Sequence, residues 1–335
     1  MNFIREKNSK DKILITGAGG SIGSGLVLKL LDHGYDNIVL LDHSEYLLFQ
    51  IAHRLNFQYP YYLADIRDYE RLEEIFVLEN PNVVFHTAAL KHVPMLEDHP
   101  TEAIKTNVMG TYHLVKLSHL HGVKKFIFIS SDKAIKPTSI MGATKRIGEM
   151  ICQYFQKQSE TIFTSVRFGN VLNSSGSVIP IFKEQIQKGG PVTVTHKDMS
   201  RFFMSIDQAC ELLVKAMEIA TPNDDVFFLH LGEPINIYEL AKFMILSEGK
   251  MPHKDIPIVI TGLRPGEKLN EEFHDDDELI HSTNYEGIKK VILNGIPDNF
   301  QELVEQLIKE AKNKKEIKKI IKQLIPDYQS TSLKK

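Results

Sequence analysis

The sequence predicts an α/β fold: a doubly wound parallel sheet covered by helices on both faces, with a smaller α/β portion interleaved late in the chain. Three observations carry this. Short apolar runs without polar alternation recur, as strands buried on both faces require. Segments with apolar residues at helical spacing separate them. The first run ends in a glycine-rich turn, Thr16-Gly17-Ala18-Gly19-Gly20-Ser21-Ile22-Gly23, that opens the first helical segment, the join on which Rossmann-like sheets are built.

The elements follow in order. Lys12–Thr16 reads as a strand and Ile22–Leu31 as a helix, then Ile38–Leu41 as a strand and Tyr46–Leu55 as a helix. A third strand precedes Asp65, the helix Tyr69–Leu78 leads to the strand Asn82–His86, and the helix Pro100–His119 to the strand Lys125–Ser130. A helix reaching about Gln156 and the strand Phe163–Phe168 come next. From Gly169 to Ser205, Gly176, Pro180, Gly189, Gly190 and Pro191 break the pattern into loops around a short helix, Ile181–Gln187. Asp207–Ala220 returns to helix, and Val226–Leu231 reads as a strand that rejoins the main sheet. Beyond Gly232, five spaced prolines from Pro234 to Pro297 suggest a cap of helices and short strands. The division expected is therefore a dinucleotide-binding domain at 12–170 completed by 206–232, with 171–205 and 233–328 forming a substrate-binding domain.

The tail from Lys309 to Lys322 holds seven lysines, with Ile308, Ile317, Ile320, Ile321 and Leu324 at near-helical spacing. It reads as the solvated face of a terminal helix, the alternative being a basic amphipathic helix on an anionic membrane.

Length and composition bound the function. At 335 residues the chain can bury one large α/β core or two that share it. A formal charge of −3 offers no general attraction for a polyanion, so nucleic acid is not an expected partner. Cys152 and Cys210 cannot form a disulfide framework, which fits a reducing cytoplasm. The start, Met1 to Lys12, lacks an apolar signal core, and no later stretch approaches the roughly 18 apolar residues of a membrane span. No metal site is expected: His119 and His121 stand two apart on a helix and face different ways.

The glycine turn carries the first chemistry. Gly17, Gly20 and Gly23 permit a tight turn and let the backbone, at Ser21 and Ile22, approach a pyrophosphate whose charge the helix start stabilises. Asp42, ending the second strand, can accept hydrogen bonds from a ribose 2′-hydroxyl and would repel a 2′-phosphate, so the cofactor expected is NAD. Asp65 and Ile66 follow the third strand, placed for the adenine.

The Thr-Gly-x-x-Gly-x-x-Gly turn and a Lys145 that follows a Ser130-Ser131 strand end resemble the extended short-chain dehydrogenase/reductase superfamily. Six further motifs narrow the resemblance: Asp42-His-Ser-Glu45, His86-Thr-Ala-Ala-Leu-Lys-His-Val-Pro94, Ser131-Asp-Lys-Ala134, Met141-Gly-Ala-Thr-Lys145, Arg167-Phe-Gly-Asn-Val171 and Arg264-Pro-Gly-Glu-Lys268. In order, from about Lys12 to Tyr328, they resemble the nucleotide-sugar 4,6-dehydratases that act on UDP-N-acetylglucosamine. The resemblance implies that Ser44, Ala88, Ala89 and Lys145 also line the cofactor, and that Lys91 bridges cofactor and substrate. Met141 stands where most of the superfamily has the proton-accepting tyrosine. A thioether cannot exchange a proton, so either the protein is an inactive relative or another group does the acid–base work. The polysaccharide-associated branch of these dehydratases shows the same methionine and keeps an Asp-Lys pair, here Asp132 and Lys133.

Chemical need supplies a mechanism. Water leaves across C5 and C6 of a hexose only if the C5 hydrogen is acidic, and oxidation of C4 to a ketone makes it so. A base then takes the C5 proton, an acid protonates the departing C6 hydroxyl, and the hydrogen removed from C4 returns to C6. With the resemblance as guide, Asp132 takes the C4 hydroxyl proton and later protonates the leaving group, Lys133 is the C5 base, and Ser131 hydrogen-bonds the C4 oxygen. A lysine is a base only with a lowered pKa, and Lys91 and Lys145 are expected to lower it. Lys145 would hold the nicotinamide ribose. Arg201 and Arg264 supply cations for a diphosphate. By resemblance Asn170 contacts a substrate phosphate, Glu267 the nucleotide ribose, and Ser177 and Val178 begin the substrate loop.

Departures from the branch are Ser131 for threonine, Leu90 for tyrosine, and His196-Lys197 for Asp-Pro near the nucleotide base. Many members also carry a membrane-spanning region ahead of this domain. The expected substrate is a UDP-linked, or else GDP-linked, N-acetylhexosamine, and superfamily habit implies a homo-oligomer. A 4-epimerase of the same fold and an inactive NAD-binding scaffold are the rival readings. Lys133 beside Asp132 argues against the epimerase, which needs no C5 base.

Overall fold

In the computed structural model, which describes residues 10–229, 232–275 and 277–329, the expected alternation is present: β1 (Ile13–Thr16), β2 (Ile38–Asp42), β3 (Tyr61–Leu63), β4 (Val83–His86), β5 (Lys125–Ser131) and β6 (Ile162–Phe168) are separated by helices. Past β6 the strands shorten, with β7 (Asn170–Val171), β8 (Val192–Val194), β9 (Ser200–Arg201) and β10 (Phe203–Met204). Then come β11 (Val226–Leu229), β12 (Ile235–Asn236), β13 (Ile258–Ile260), β14 (Leu279–Ser282) and β15 (Ile288–Ile292). The polar start Met1–Ser9, and His230 and Leu231 at the end of the expected strand, lie outside the described residues.

The central sheet has the order β14-β15-β11-β6-β5-β4-β1-β2-β3. From β3 across to β11 every pairing is parallel, and β15 and β14 add an antiparallel edge. The chain winds outward from β1 to β3, then returns to β4 on the other side of β1. Loops leaving the carboxyl ends of β1 and β4 therefore diverge, and the crevice between them is where such sheets take ligands.

Side chains alternate along each strand, and both faces are apolar. Leu14, Val84, Phe126 and Phe128 enter one layer with the helices Tyr69–Glu79, Gly110–Leu120 and Ile140–Gln156. Ile13, Ile15, Phe85 and Ile127 enter the other with Ser21–Asp32, Glu45–Arg54 and Ile206–Ile219. Each fully buried Leu, Ile or Phe is worth about 1.5–3 kcal/mol over its exposed state, and these layers fix the strand ends that carry the site.

A smaller unit has its own core of Phe182, Ile186, Val192, Val194, Ile237, Ala241 and Ile245. It joins the helix Val178–Gln187, the parallel pair β8–β13 and the helix Ile237–Ser247. The pairs β7–β10 and β9–β12 lie in the loop-rich region between it and the sheet.

Two features differ from the sequence reading. Residues 279–292, placed by sequence in the substrate-binding portion, form β14 and β15 of the central sheet. The helices Phe300–Lys309 and Lys314–Leu324 likewise pack on that sheet, because Phe300, Leu303, Leu307, Ile317, Ile320, Ile321 and Leu324 share the layer of Leu14. Spaced prolines marked loops there, but not which core the intervening elements join. The same packing settles the lysine-rich tail: its apolar face is buried while Lys314, Lys315, Lys319 and Lys322 are exposed, so that face is not available to a membrane. Second, the helical stretch Pro100–Leu120 contains a π turn at Ile104–Met109, an insertion that periodicity does not register. Among the described residues no helix is long and apolar enough to cross a membrane.

Candidate active site

At the crevice, geometry enforces the glycines. Gly17 has φ +68°, and a Cβ there would lie 2.8 Å from the Ala88 backbone. At Gly23 a Cβ would fall 2.1 Å from the Gly17 carbonyl oxygen. Gly20 precedes the helix Ser21–Asp32, which no side chain caps, so its first-turn N–H groups, beginning with Ser21, Ile22 and Gly23, suit an anion. These residues fit the pyrophosphate of a dinucleotide.

Asp42 is buried, accepting from Gly19 N and Ser44 N, each at 2.9 Å. It ties the turn to the end of β2, and a carboxylate keeps further lone pairs for a ribose. Ser44 caps the next helix by accepting from Leu47 N. Asp65 faces Arg67 in a two-point ion pair, and Ile66 is buried against Gly110. Ala88 and Ala89 follow β4 and are partly buried. Of the expected cofactor residues, those from Gly17 to Lys91 lie at or after the carboxyl ends of β1 to β4, while Lys145 lies on the helix Ile140–Gln156 against β5.

Ser131 ends β5, and Asp132 and Lys133 stand in the 3₁₀ turn that follows it. Asp132 is fully buried: Ser131 Oγ donates to its Oδ1 at 2.8 Å, and Lys133 Nζ stands 2.9 Å from the same atom. Lys133 Nζ also reaches Asn170 Oδ1 at 3.3 Å and Glu271 Oε1 at 3.6 Å. Lys133 does not have the lowered pKa expected from its sequence neighbours. Burial pulls it down, but the charges of Asp132 and Glu271 outweigh burial and hold it above the ordinary lysine range.

Burial depresses Lys145 instead, to about 8 against the opposing charge of Glu149, and it also lowers Lys91. Lys145 projects from the helix Ile140–Gln156, donates to Ile129 O at 2.8 Å and lies over the Phe128 ring. Met141, one turn earlier, is buried in the apolar layer. Lys91 reaches Ser174 Oγ at 3.3 Å, so it touches the loop before Ser177. Ser177 precedes the helix that Val178 opens, and its hydroxyl oxygen is buried without a hydrogen-bond partner among the described residues. Ser175 N donates to Ser21 Oγ at 3.3 Å, bringing this loop onto the glycine turn.

The two arginines differ. Arg201 is buried and donates to the carbonyls of Ser200, Leu269 and Lys268, so it braces the segment before Glu271. Arg264 is 58% exposed and pairs with Glu267.

Sequence reasoning passed over several groups. Glu271 is the chief one; its acidic pair with Glu272 sat in a stretch read only as cap. Arg167, in the Arg-Phe-Gly-Asn-Val motif, is fully buried between Glu149 and Glu278, with Ser130 Oγ also donating to Glu149. Asn107, in the π turn, bonds both backbone groups of Leu90 and donates to Thr144 Oγ1. His86, neutral because burial and the Lys145 charge push it to about 3, links Thr16 to Thr111 under the glycine turn.

Fold and crevice together define a dinucleotide-binding protein of the Rossmann class. Residues 13–293 match the polysaccharide biosynthesis protein family, and the chain belongs to it. It is 44% identical over 273 residues to the probable polysaccharide biosynthesis protein EpsC of Bacillus subtilis, covering 80% of this chain and 45% of that one; it thus spans under half of EpsC. It is 33% identical to the UDP-N-acetylglucosamine 4,6-dehydratase (inverting) of Campylobacter jejuni, over 85% of this chain and 84% of that one. Among solved structures, Pen from Bacillus thuringiensis superposes with a TM-score of 0.78 at 34% identity, over 91% of this chain and 99% of that one. The fold alone is shared with the UDP-glucose 4-epimerase of Thermus thermophilus solved with NAD, at a TM-score of 0.67 and 23% identity over 76% of this chain and 88% of that one.

Proposed function

We propose that the chain is an NAD-dependent nucleotide-sugar 4,6-dehydratase that converts UDP-N-acetylglucosamine to UDP-2-acetamido-2,6-dideoxy-4-keto-hexose, acting in the cytoplasm as a homo-oligomer. The observation that carries it is the Asp132–Lys133 pair at the carboxyl end of β5, a carboxylate and an amine in contact where Met141 can move no proton. The similarity to a dehydratase of this substrate along most of both chains supports it.

Gly17, Gly20, Ser21, Ile22 and Gly23 would hold the cofactor pyrophosphate, Asp42 and Ser44 the adenosine ribose, and Asp65 and Ile66 the adenine. Ala88, Ala89, Lys91 and Lys145 would hold the nicotinamide half. When bound, NAD supplies reversible oxidation at C4, which acidifies the C5 hydrogen. The residues handle the protons. Asp132 accepts the C4 hydroxyl proton while Ser131 holds that oxygen, and Asp132 later passes the proton to the C6 hydroxyl, which leaves as water. Lys133 removes the C5 proton and returns it, which retains the C5 configuration. Lys145 adds positive potential beside the C4 oxygen. Asn170, Arg264 and the N–H groups that Arg201 keeps would bind the diphosphate, with Glu267 on the nucleotide ribose and Ser177 and Val178 closing the substrate loop.

The test is product analysis with UDP- and GDP-linked N-acetylglucosamine and the corresponding hexoses. The expected outcome is a UDP product lighter by one water, with a methyl doublet and a C4 ketone or its hydrate by NMR. A product of unchanged mass would make the chain an epimerase, and bound NAD without turnover would leave the scaffold reading.

A further inference from the structure

We propose that Glu271 stores the proton Lys133 must shed before it can act as a base, so that Asp132, Lys133 and Glu271 work as one proton-transfer unit. The inference rests on the dehydratase reading, because only that reaction asks Lys133 to begin as a neutral amine.

An ammonium has three protons, and Lys133 Nζ has three neighbours for them: Asp132 Oδ1 at 2.9 Å, Asn170 Oδ1 at 3.3 Å and Glu271 Oε1 at 3.6 Å. The second oxygens, Asp132 Oδ2 and Glu271 Oε2, are buried with no hydrogen-bond partner among the described residues. Two carboxylates thus flank one cation, and the site has more acceptors than donors. A buried acceptor without a donor costs about 1–3 kcal/mol. Such a site has room for a proton on a carboxyl, which turns one orphaned acceptor into a donor.

Asp132 cannot be the store, since it must begin ionised to take the C4 hydroxyl proton. Glu271 is the remaining carboxyl within reach of Nζ. Burial raises its affinity for a proton and the Asp132 charge adds to that, against the cations Lys133, Arg201 and Lys268. Arg201 gives three of its N–H groups to backbone carbonyls, and Lys268 donates to Ile135 O. Neither places a hydrogen on Glu271 Oε2.

The protons balance. From the ionised resting trio, an N–H bond of Lys133 breaks and an O–H bond forms on Glu271, leaving a neutral amine. Asp132 takes the C4 hydroxyl proton, and the Lys133 amine takes the C5 proton. Asp132 gives its proton to the C6 hydroxyl, which departs as water, and Lys133 returns its proton to C5. After product release the Glu271 proton goes back to Lys133. Glu271 acts through Lys133 and is therefore a positioning residue.

The test is the pH profile of kcat/KM for dehydration by the intact chain, wild type against Glu271→Gln and Glu271→Asp. Internal transfer exchanges no proton with solvent, so wild type is expected to be flat through neutrality. Glu271→Gln is expected to lose about 10²-fold at pH 7, rise about tenfold per pH unit and approach wild type in alkali, whereas Glu271→Asp keeps the flat profile. A Glu271→Gln profile parallel to wild type, at any height, would overturn the inference. Wild type that dehydrates no sugar nucleotide would overturn the underlying reading instead. A readout free of turnover separates the two: the midpoint of Lys133 acylation against pH, read by mass spectrometry, should fall in Glu271→Gln and coincide with the end of its rising limb. An unmoved midpoint overturns the inference by itself.

Discussion

Asp132→Asn is expected to lower turnover of the sugar nucleotide by about 10³-fold while NAD affinity and the thermal unfolding midpoint stay near wild type. The magnitude is that of losing a general acid–base, about 10²–10⁴-fold, here from a group that serves two steps. Asparagine keeps the shape, and its carbonyl can still accept from Ser131 Oγ and Lys133 Nζ, the two groups now on Oδ1. What it loses is the ability to carry a proton from C4 to C6. Initial rates, NAD titration and circular dichroism on one preparation check this. Equal loss of rate and of folded protein would mean Asp132 is a structural anion.

Arg167→Met is expected to remove about 3–5 kcal/mol of stability, the cost of leaving buried carboxylates without their cation. Arg167 bonds Glu149 through two nitrogens at 2.8 and 2.9 Å and Glu278 through two at 2.7 and 2.8 Å, and it donates to Phe273 O at 3.0 Å. Methionine fills the volume but satisfies neither acid. Arg146 reaches both carboxylates and offers only partial relief. Function should suffer too, since the cluster braces Ser130, just before Ser131 and Asp132, and the chain two residues beyond Glu271.

The acid side gives a second signature of the same cluster. Burial would raise Glu149, but the Arg167 guanidinium overrides it and holds the carboxyl at about 2, below its ordinary 4.5. A depressed carboxyl stabilises the fold above its unfolded pKa, and that stabilisation drains as pH falls through 4.5 toward 2. Urea unfolding at pH 7 and pH 4 should show a smaller acid loss for Arg167→Met than for wild type.

The fold was legible because β1, β2, β4 and β5 are short, mostly apolar strands buried on both faces and the glycine turn marks the join of the first strand to the first helix. Asp42, Asp132 and Lys133 were legible for a related reason: parallel strands present chemistry at their carboxyl ends, and each stands there. Glu271 was not, because its role depends on Arg201 and the carbonyls of Lys268 and Leu269 bringing a cap segment against β5, a contact across more than a hundred residues that no periodicity encodes. The direction of the Lys133 shift failed similarly. Lys91 and Lys145 were visible in sequence as cations, but the second anion that joins Asp132 at Nζ, Glu271 at 3.6 Å, was not. Ile317, Ile320, Ile321 and Leu324 showed a buried face plainly, though not which core buries it.

The most direct measurement follows a deuterium placed on C4 of UDP-N-acetylglucosamine. The expected product is lighter by one water and carries the deuterium in its C6 methyl group, made by wild type and reduced by about 10³-fold in Asp132→Asn. Deuterium that stays on C4 in a product of unchanged mass, or label transfer to C6 that proceeds at the wild-type rate in Asp132→Asn, would contradict this expectation.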